Sequence, residues 1–241
     1  MIIDCISDLH GHYPELEGGD LLIVAGDLTA RDTQEEYMEF DDWIYEQNYM
    51  HKIVIAGNHD NKLMCDDPFL DGYLGITPEY LCDSGLEIWT EYEITKWGTR
   101  PAPNAKKLKI WGSPWTKWFE GVNPHCTAFM LKTEEELAEK WAMIPSDTDI
   151  LITHSPPKGI LDWNKHGKQC GSDSLWERSK EMKNLKLFVF GHIHEAYSMI
   201  NTSQLFHGFP EIKAKSLPII VNASHVNERY EPVNKPVRVI L

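Results

Sequence analysis

The stretch "FVFGHIHEAYS", residues 188–198, sets two histidines one residue apart directly after a short apolar run. Residues i and i+2 of a strand share a face. Beyond a strand end, Gly191 lets the backbone turn so that His192 and His194 can face one point. Two imidazoles converging there suit a metal ion, which then needs ligands from other segments. Other apolar runs end in suitable residues: Asp8 and His10 in "SDLHG", Asp27 in "AGDLT", Asn58, His59 and Asp60 in "AGNHD", and His154 in "THSPP".

The runs are "IIDCI" at 2–6, "LLIV" at 21–24, "KIVIAG" at 52–57, "LKIWG" at 108–112, "DILITH" at 149–154, "KLFVFGH" at 186–192 and "PIIVNAS" at 218–224. Each is short, apolar and bounded by polar, Gly or Pro residues, the pattern of strands buried on both faces. Helices are expected between them. Thr33 with Glu36 forms a capping-box pattern ahead of Tyr37, Phe40 and Ile44, and Thr133 with Glu136 precedes Leu137, Trp141 and Ile144. A third helix is expected from Ser172 or Asp173 to about Met182, and the stretch between 70 and 100, with "GLEIWTEYEITKWG" at 85–98, reads as short hairpins. In open α/β sheets, ligands collect at the carboxyl ends of strands. The polar blocks should therefore meet at one edge.

With 241 residues, 42% of them apolar and 11% aromatic, the chain can bury one substantial core, and a single domain spanning 1–241 is expected. No run approaches the roughly 18 apolar residues of a membrane helix. The start "MIIDCISDLHG" has neither the basic region nor the cleavage site of a signal peptide, so a cytoplasmic protein is expected. Five scattered cysteines without a CxxC pair fit free thiols in a reducing compartment. A formal charge of −14 disfavours membrane surfaces and long nucleic acids, whose nonspecific binding rests on a basic field. Metal ions would invert the field locally and still permit a small phosphate to bind.

The series DxH, GD, GNHD, an isolated His and GHxH, in that order from residue 8 to 194, resembles the calcineurin-like metallophosphoesterase superfamily. The segments "GSPWTKWF" at 112–119, "THSPPKGILD" at 153–162, "CGSDSL" at 170–175 and "NAS" at 222–224 narrow the resemblance to its MPPED-type subgroup, related to bacterial cyclic-nucleotide phosphodiesterases. Departures are the absence of a glycine in the residues after the GD of "GDLTARD", "CGS" in place of "CGC", and the segment 123–127. The resemblance implies an α/β fold, an αββα sandwich of two mixed β-sheets flanked by helices, and a binuclear metal centre. Asp8, His10, Asp27 and His194 would hold one ion, and Asp27, Asn58, His154 and His192 the other. The nucleophile would be a hydroxide bridging the two ions. His59 would act as general acid, with Asp60 orienting and charging its ring. Carboxylate, amide and imidazole ligands without thiolate favour two divalent ions of the Mn, Fe, Zn, Co or Ni type, with manganese expected first.

The implied reaction is hydrolysis of phosphodiesters, with cyclic nucleotides among the substrates. The alternatives are a phosphomonoesterase, a protein phosphatase or a metal-binding scaffold without catalysis. Plain structural roles compete for the other candidates. Arg31 reads mainly as a helix-entry charge and secondarily as a phosphate ligand, and His12 as exposed. His166 and His225 are balanced between loop structure and substrate pocket. The aromatic run 111–119 reads first as packing and second as a wall for a nucleobase. The sequence leaves the oligomeric state open.

Overall fold

All seven apolar runs are strands in the computed structural model, which describes residues 1–64, 78–96, 98–119, 126–201 and 218–241. In chain order the strands are β1 (Ile2–Ile6), β2 (Gly19–Ala25), β3 (Tyr49–Ile55), β4 (Glu79–Tyr80), β5 (Ser84–Trp89), β6 (Tyr92–Thr95), β7 (Gly98–Pro101) and β8 (Lys107–Ser113). There follow β9 (Thr116–Lys117), β10 (Met130–Leu131), β11 (Ile150–Thr153), β12 (Leu187–Phe190), β13 (Ser198–Asn201), β14 (Ile219–Asn222) and β15 (Val237–Ile240). One sheet has the order β15-β1-β2-β3-β4 and the other β13-β14-β12-β11-β8-β5. Strands β1 to β4 run parallel, as do β8, β11, β12 and β14, while β15, β13 and β5 are antiparallel edges.

Two alternating faces per strand produce four layers. Ile3, Leu21, Ile23 and Ile53 of the first sheet pack against Ile110, Ile150, Ile152, Leu187 and Val189 of the second. The opposite face of the first sheet, including Leu22, Val24 and Val54, is covered by Tyr37, Phe40, Trp43 and Ile44 of α1 (Gln34–Glu46). On the second sheet, Leu151, Phe188 and Phe190 meet Leu137 and Trp141 of α2 (Glu134–Ala142) and Leu175 of α3 (Asp173–Glu181). The expected αββα sandwich is what forms. Both capping boxes close, and Ser172 caps α3. Among the described residues no helix is long and apolar enough to cross a membrane.

The two sheets are stitched together at their carboxyl edge. Ser7, just beyond β1, pairs with Ser224, just beyond β14, donating from its amide to the Ala223 carbonyl at 2.9 Å and accepting from the His225 amide at 2.7 Å. This joint brings the loops of both sheets to one place.

Two expectations need correcting. Among the described residues between 70 and 100 only β6 and β7 form a hairpin, and residues 70–77 and 97 lie outside the described residues. Strand β5 instead pairs antiparallel with β8, where Ile88 enters the inter-sheet core and extends the second sheet's edge. The cysteines are not all free either: Cys82 is disulfide-bonded, while Cys5, Cys126 and Cys170 are thiols. In the divergent segment 123–127, residues 123–125 lie outside the described residues.

Candidate metal centre

The turns that leave the strands are unusually tight. Asp8, His10, Asp27 and His192 all hold positive φ, at 53°, 45°, 53° and 68°. Non-glycine residues enter this left-handed region at a cost of order 1–3 kcal/mol each and cluster where a site demands it. Glycines make the matching room. A Cβ on Gly57 would collide with an Asp27 carboxylate oxygen, and one on Gly191 with an Asp8 oxygen. The strained turns and the missing side chains aim buried carboxylates and imidazoles into one volume.

Asp27 is the hub. Its Oδ2 lies 3.4 Å from His154 Nε2, 3.6 Å from His10 Nε2 and 4.0 Å from His59 Nε2. Asp8 Oδ1 is 3.3 Å from His194 Nε2, which is also 3.3 Å from His10 Nε2. Three groupings have ligand atoms close enough to share an ion: Asp8, His10 and His194; Asp8, Asp27 and His154; and His10, Asp27 and His59. Asn58 Oδ1 adds an amide oxygen 3.0 Å from His154 Nε2. His192 stands outside the three groupings; its ring centroid is 5.0 Å from that of His154, and it lines the same cleft as Asn58 and His194. The seven ligand candidates and His59 thus converge, and the third grouping adds His59 itself as a possible ligand.

Partners behind the ligands fix which nitrogen looks inward. His154 Nδ1 donates to the Ala25 carbonyl at 3.0 Å and His194 Nδ1 to the Asn227 carbonyl at 3.1 Å, so each presents Nε2 to the centre. Asp8 accepts the His192 amide at 3.0 and 3.1 Å and the Ser224 hydroxyl at 2.8 Å. Asp27 Oδ1 accepts the His59 amide at 2.9 Å.

The proton inventory favours a cation. Burial pushes His10 and His192 down to about 3, so both imidazoles are neutral and offer lone pairs. Burial acts in the same sense on His154, but the Asp27 charge and hydrogen bond overcome it and lift the group to about 9. His194 is likewise raised, by Asp8 against its own burial. Despite burial, Asp8 and Asp27 lie below the usual carboxylate range because of these histidines. The two buried carboxylates stay ionised, and the imidazoles of His154 and His194 hold a proton more firmly than a free imidazole. The Nδ1 of His10 is buried with no hydrogen-bond partner among the described residues. A hard-oxygen and imidazole donor set around two buried carboxylates fits divalent ions, which could take the place of those protons.

Asp60 is not where the sequence placed it. Rather than meeting the His59 ring, its buried carboxylate accepts the amides of Leu28, Thr29 and Gly57 at 2.8–3.1 Å and the Thr29 hydroxyl at 3.0 Å. It ties the turn after β2 to the turn after β3. The His59 Nδ1 instead faces the Ala30 carbonyl at 3.4 Å and Cys126 Sγ at 3.3 Å.

Above the centre lies a cleft of about 880 Å³. His166 lines it. His225 does not appear on its walls; its Nδ1 faces the Asn234 carbonyl at 2.7 Å, a loop contact. Arg31 is exposed, its amide donating to Glu36 Oε2 at 3.0 Å, which fits a helix-entry role. The aromatic run divides. Trp111 and Trp115 pack at the core, whereas Trp118 and Phe119 line the cleft, with Phe119 5.9 Å from the His192 ring. Sequence reasoning missed Tyr230, whose ring lies 4.8 Å from His10 and 5.3 Å from His194 and walls the cleft. No metal-ligand spacing marks it, so only the fold reveals it.

The profile of calcineurin-like phosphoesterases matches residues 1–196. Metallophosphoesterase domain-containing protein 1 of Homo sapiens is 34% identical over 250 residues, covering 97% of this chain and 68% of its own length. The Caenorhabditis elegans protein UPF0046 C25E10.12 is 31% identical over 214 residues, covering 83% and 71%. A solved crystal structure at 12% identity superposes with a TM-score of 0.51 over 92% of this chain and 89% of its own, a likeness of fold.

Proposed function

Because the chain belongs to the calcineurin-like phosphoesterase family, we propose that it hydrolyses phosphodiesters, with cyclic nucleotides among the small esters its cleft admits. The observation that carries this reading is the convergence of three imidazole Nε2 atoms within 4.0 Å of one carboxylate oxygen, Asp27 Oδ2. Asp8, His10, Asp27 and His194 would hold one divalent ion and Asp27, Asn58, His154 and His192 the other, manganese being the first candidate. Such ions, when bound, draw charge from a phosphoryl group and lower the pKa of water toward 7.

The chain's own residues do the rest. His59 has its Nδ1 turned to Ala30 and Cys126, which directs Nε2 to the cleft where a leaving oxygen would need a proton. We assign His59 as the general acid, a role worth about 10²–10⁴ in rate. Asp60 serves as a positioning residue that locks the two turns carrying Asp27 and His59. Tyr230, beside His10 and His194, and Phe119, beside His192, line the cleft around the histidines.

Hydrolysis of bis-p-nitrophenyl phosphate by the purified protein, with added Mn²⁺ and with chelator, tests the reading. Metal-dependent release of nitrophenol is expected. Release only from p-nitrophenyl phosphate would replace it with a monoesterase, and metal binding without release from either would make the chain a scaffold.

A further inference from the structure

Building on the phosphodiesterase reading, we infer that the outer wall of the cleft is a subsite for a second phosphate on the substrate, built by Lys165, His166 and Lys168. The loop that carries them is a fixed element. Trp163 bridges Gln169, the Asn164 amide donates to the Lys168 carbonyl at 3.0 Å, and Gly167 donates back to Asn164 at 2.9 Å with φ 69°. Asn164 Oδ1 accepts the amides of His166 and Lys168, each at 3.0 Å. The base of the loop is held by Asp162, which accepts the Gly159 and Gly171 amides at 3.0 and 3.1 Å. The Lys165 amide donates to Glu195 Oε1 at 3.1 Å, fastening the loop to the residue that follows His194.

Basic side chains gather on this wall. In a chain of net charge −14, Lys117, Lys158, Lys165 and Lys168 all line one cleft. Lys117 faces Glu134 at 3.5 Å and Lys158 faces Asp173 at 2.6 Å. Lys165 and Lys168 are exposed and have no ion pair among the described residues, so their charges are left for a ligand. Of the carboxylates lining the same cleft, Asp27 lies at the floor, Asp173 is engaged by Lys158, Glu228 lies 4.0 Å from Arg229, and Glu195 accepts the Lys165 amide without an ion pair to either lysine among the described residues. Two ammonium groups and an imidazole on a braced loop suit a compact dianion. A purely apolar leaving group would leave them without a role. The ligand class is therefore a small ester carrying a second phosphate away from the scissile one.

Thymidine 3′,5′-bisphosphate and thymidine 5′-monophosphate differ only in that second phosphate. Their binding to the Mn²⁺-loaded protein by calorimetry tests the subsite without requiring turnover. The bisphosphate is expected to bind roughly tenfold tighter, two solvent-screened charge contacts together reaching about that ratio. The K165A/K168A double variant should bring the ratio to about one, and 0.5 M salt should shrink it in the original protein. Where the double variant misfolds, K165Q and K168Q singly should each lose part of the ratio. Equal affinities of the two nucleotides in the original protein, or a ratio unmoved in the variants, would overturn the subsite. The bis-p-nitrophenyl phosphate assay reports on the phosphodiesterase reading separately, so failure of one is distinguishable from failure of the other.

Discussion

At the floor of the cleft Asp8 and Asp27 are buried, held by backbone amides and imidazoles, and carried on turns with positive φ. On the wall, Lys165, His166 and Lys168 stand exposed on one hairpin loop and make no ion pair among the described residues. The floor draws on loops from both sheets, so each ligand's position depends on the packing of the whole sandwich. The wall depends on a single braced loop. Chemistry that needs placement within fractions of an ångström is built on strand ends. Choice of substrate can be left to a loop that tolerates change.

The largest effect that would sharpen this comparison is at the hub. Asp27→Ala should lose metal and lower turnover of bis-p-nitrophenyl phosphate by more than the 10–100-fold typical of outer partners, as read by metal analysis and initial rates. His59→Ala should lower kcat by about 10²–10⁴. Retained metal in that variant would mark the residue as an acid, and loss of metal would make it a ligand. Asp60→Ala strands three buried amides and should cost about 3 kcal/mol or more of stability in urea unfolding. A variant as stable as the original would break the claim that this carboxylate ties the floor together. Ser224→Ala removes the hydroxyl on Asp8 and should weaken metal affinity by about 10–100-fold, measured by competition with a chelator. Arg31→Ala, which leaves the helix-entry amide contact in place, should change kcat/KM by less than about twofold; a large loss would return it to the substrate site.

Much of the floor was legible in the chain because apolar runs end in ligand-type residues, and parallel strands bring such ends to one edge. The antiparallel edges were less visible. Strand β15 buries Val237 and Val239 but alternates with exposed Arg238 and Ile240, and β13 is half-exposed, so neither reads as a continuous apolar run. Asp60 was misread because its neighbour in sequence is His59, whereas its amide partners Leu28 and Thr29 come from the preceding strand's turn. No glycine marks the positive φ at Asp8, His10, Asp27 and His192: Gly11, Gly26 and Gly191 stand beside the last three and not at them, and Asp8 lies between Ser7 and Leu9. Tyr230 and the lysines of the wall join the site only through tertiary folding.

The claim that most depends on the floor is that two divalent ions bind there and are required for hydrolysis. Protein stripped with chelator and then titrated with Mn²⁺ tests it, with bound metal and release of nitrophenol from bis-p-nitrophenyl phosphate followed together. Activity that is absent after stripping and rises as about two ions bind per chain is the predicted result. Hydrolysis that persists after complete stripping would contradict the account.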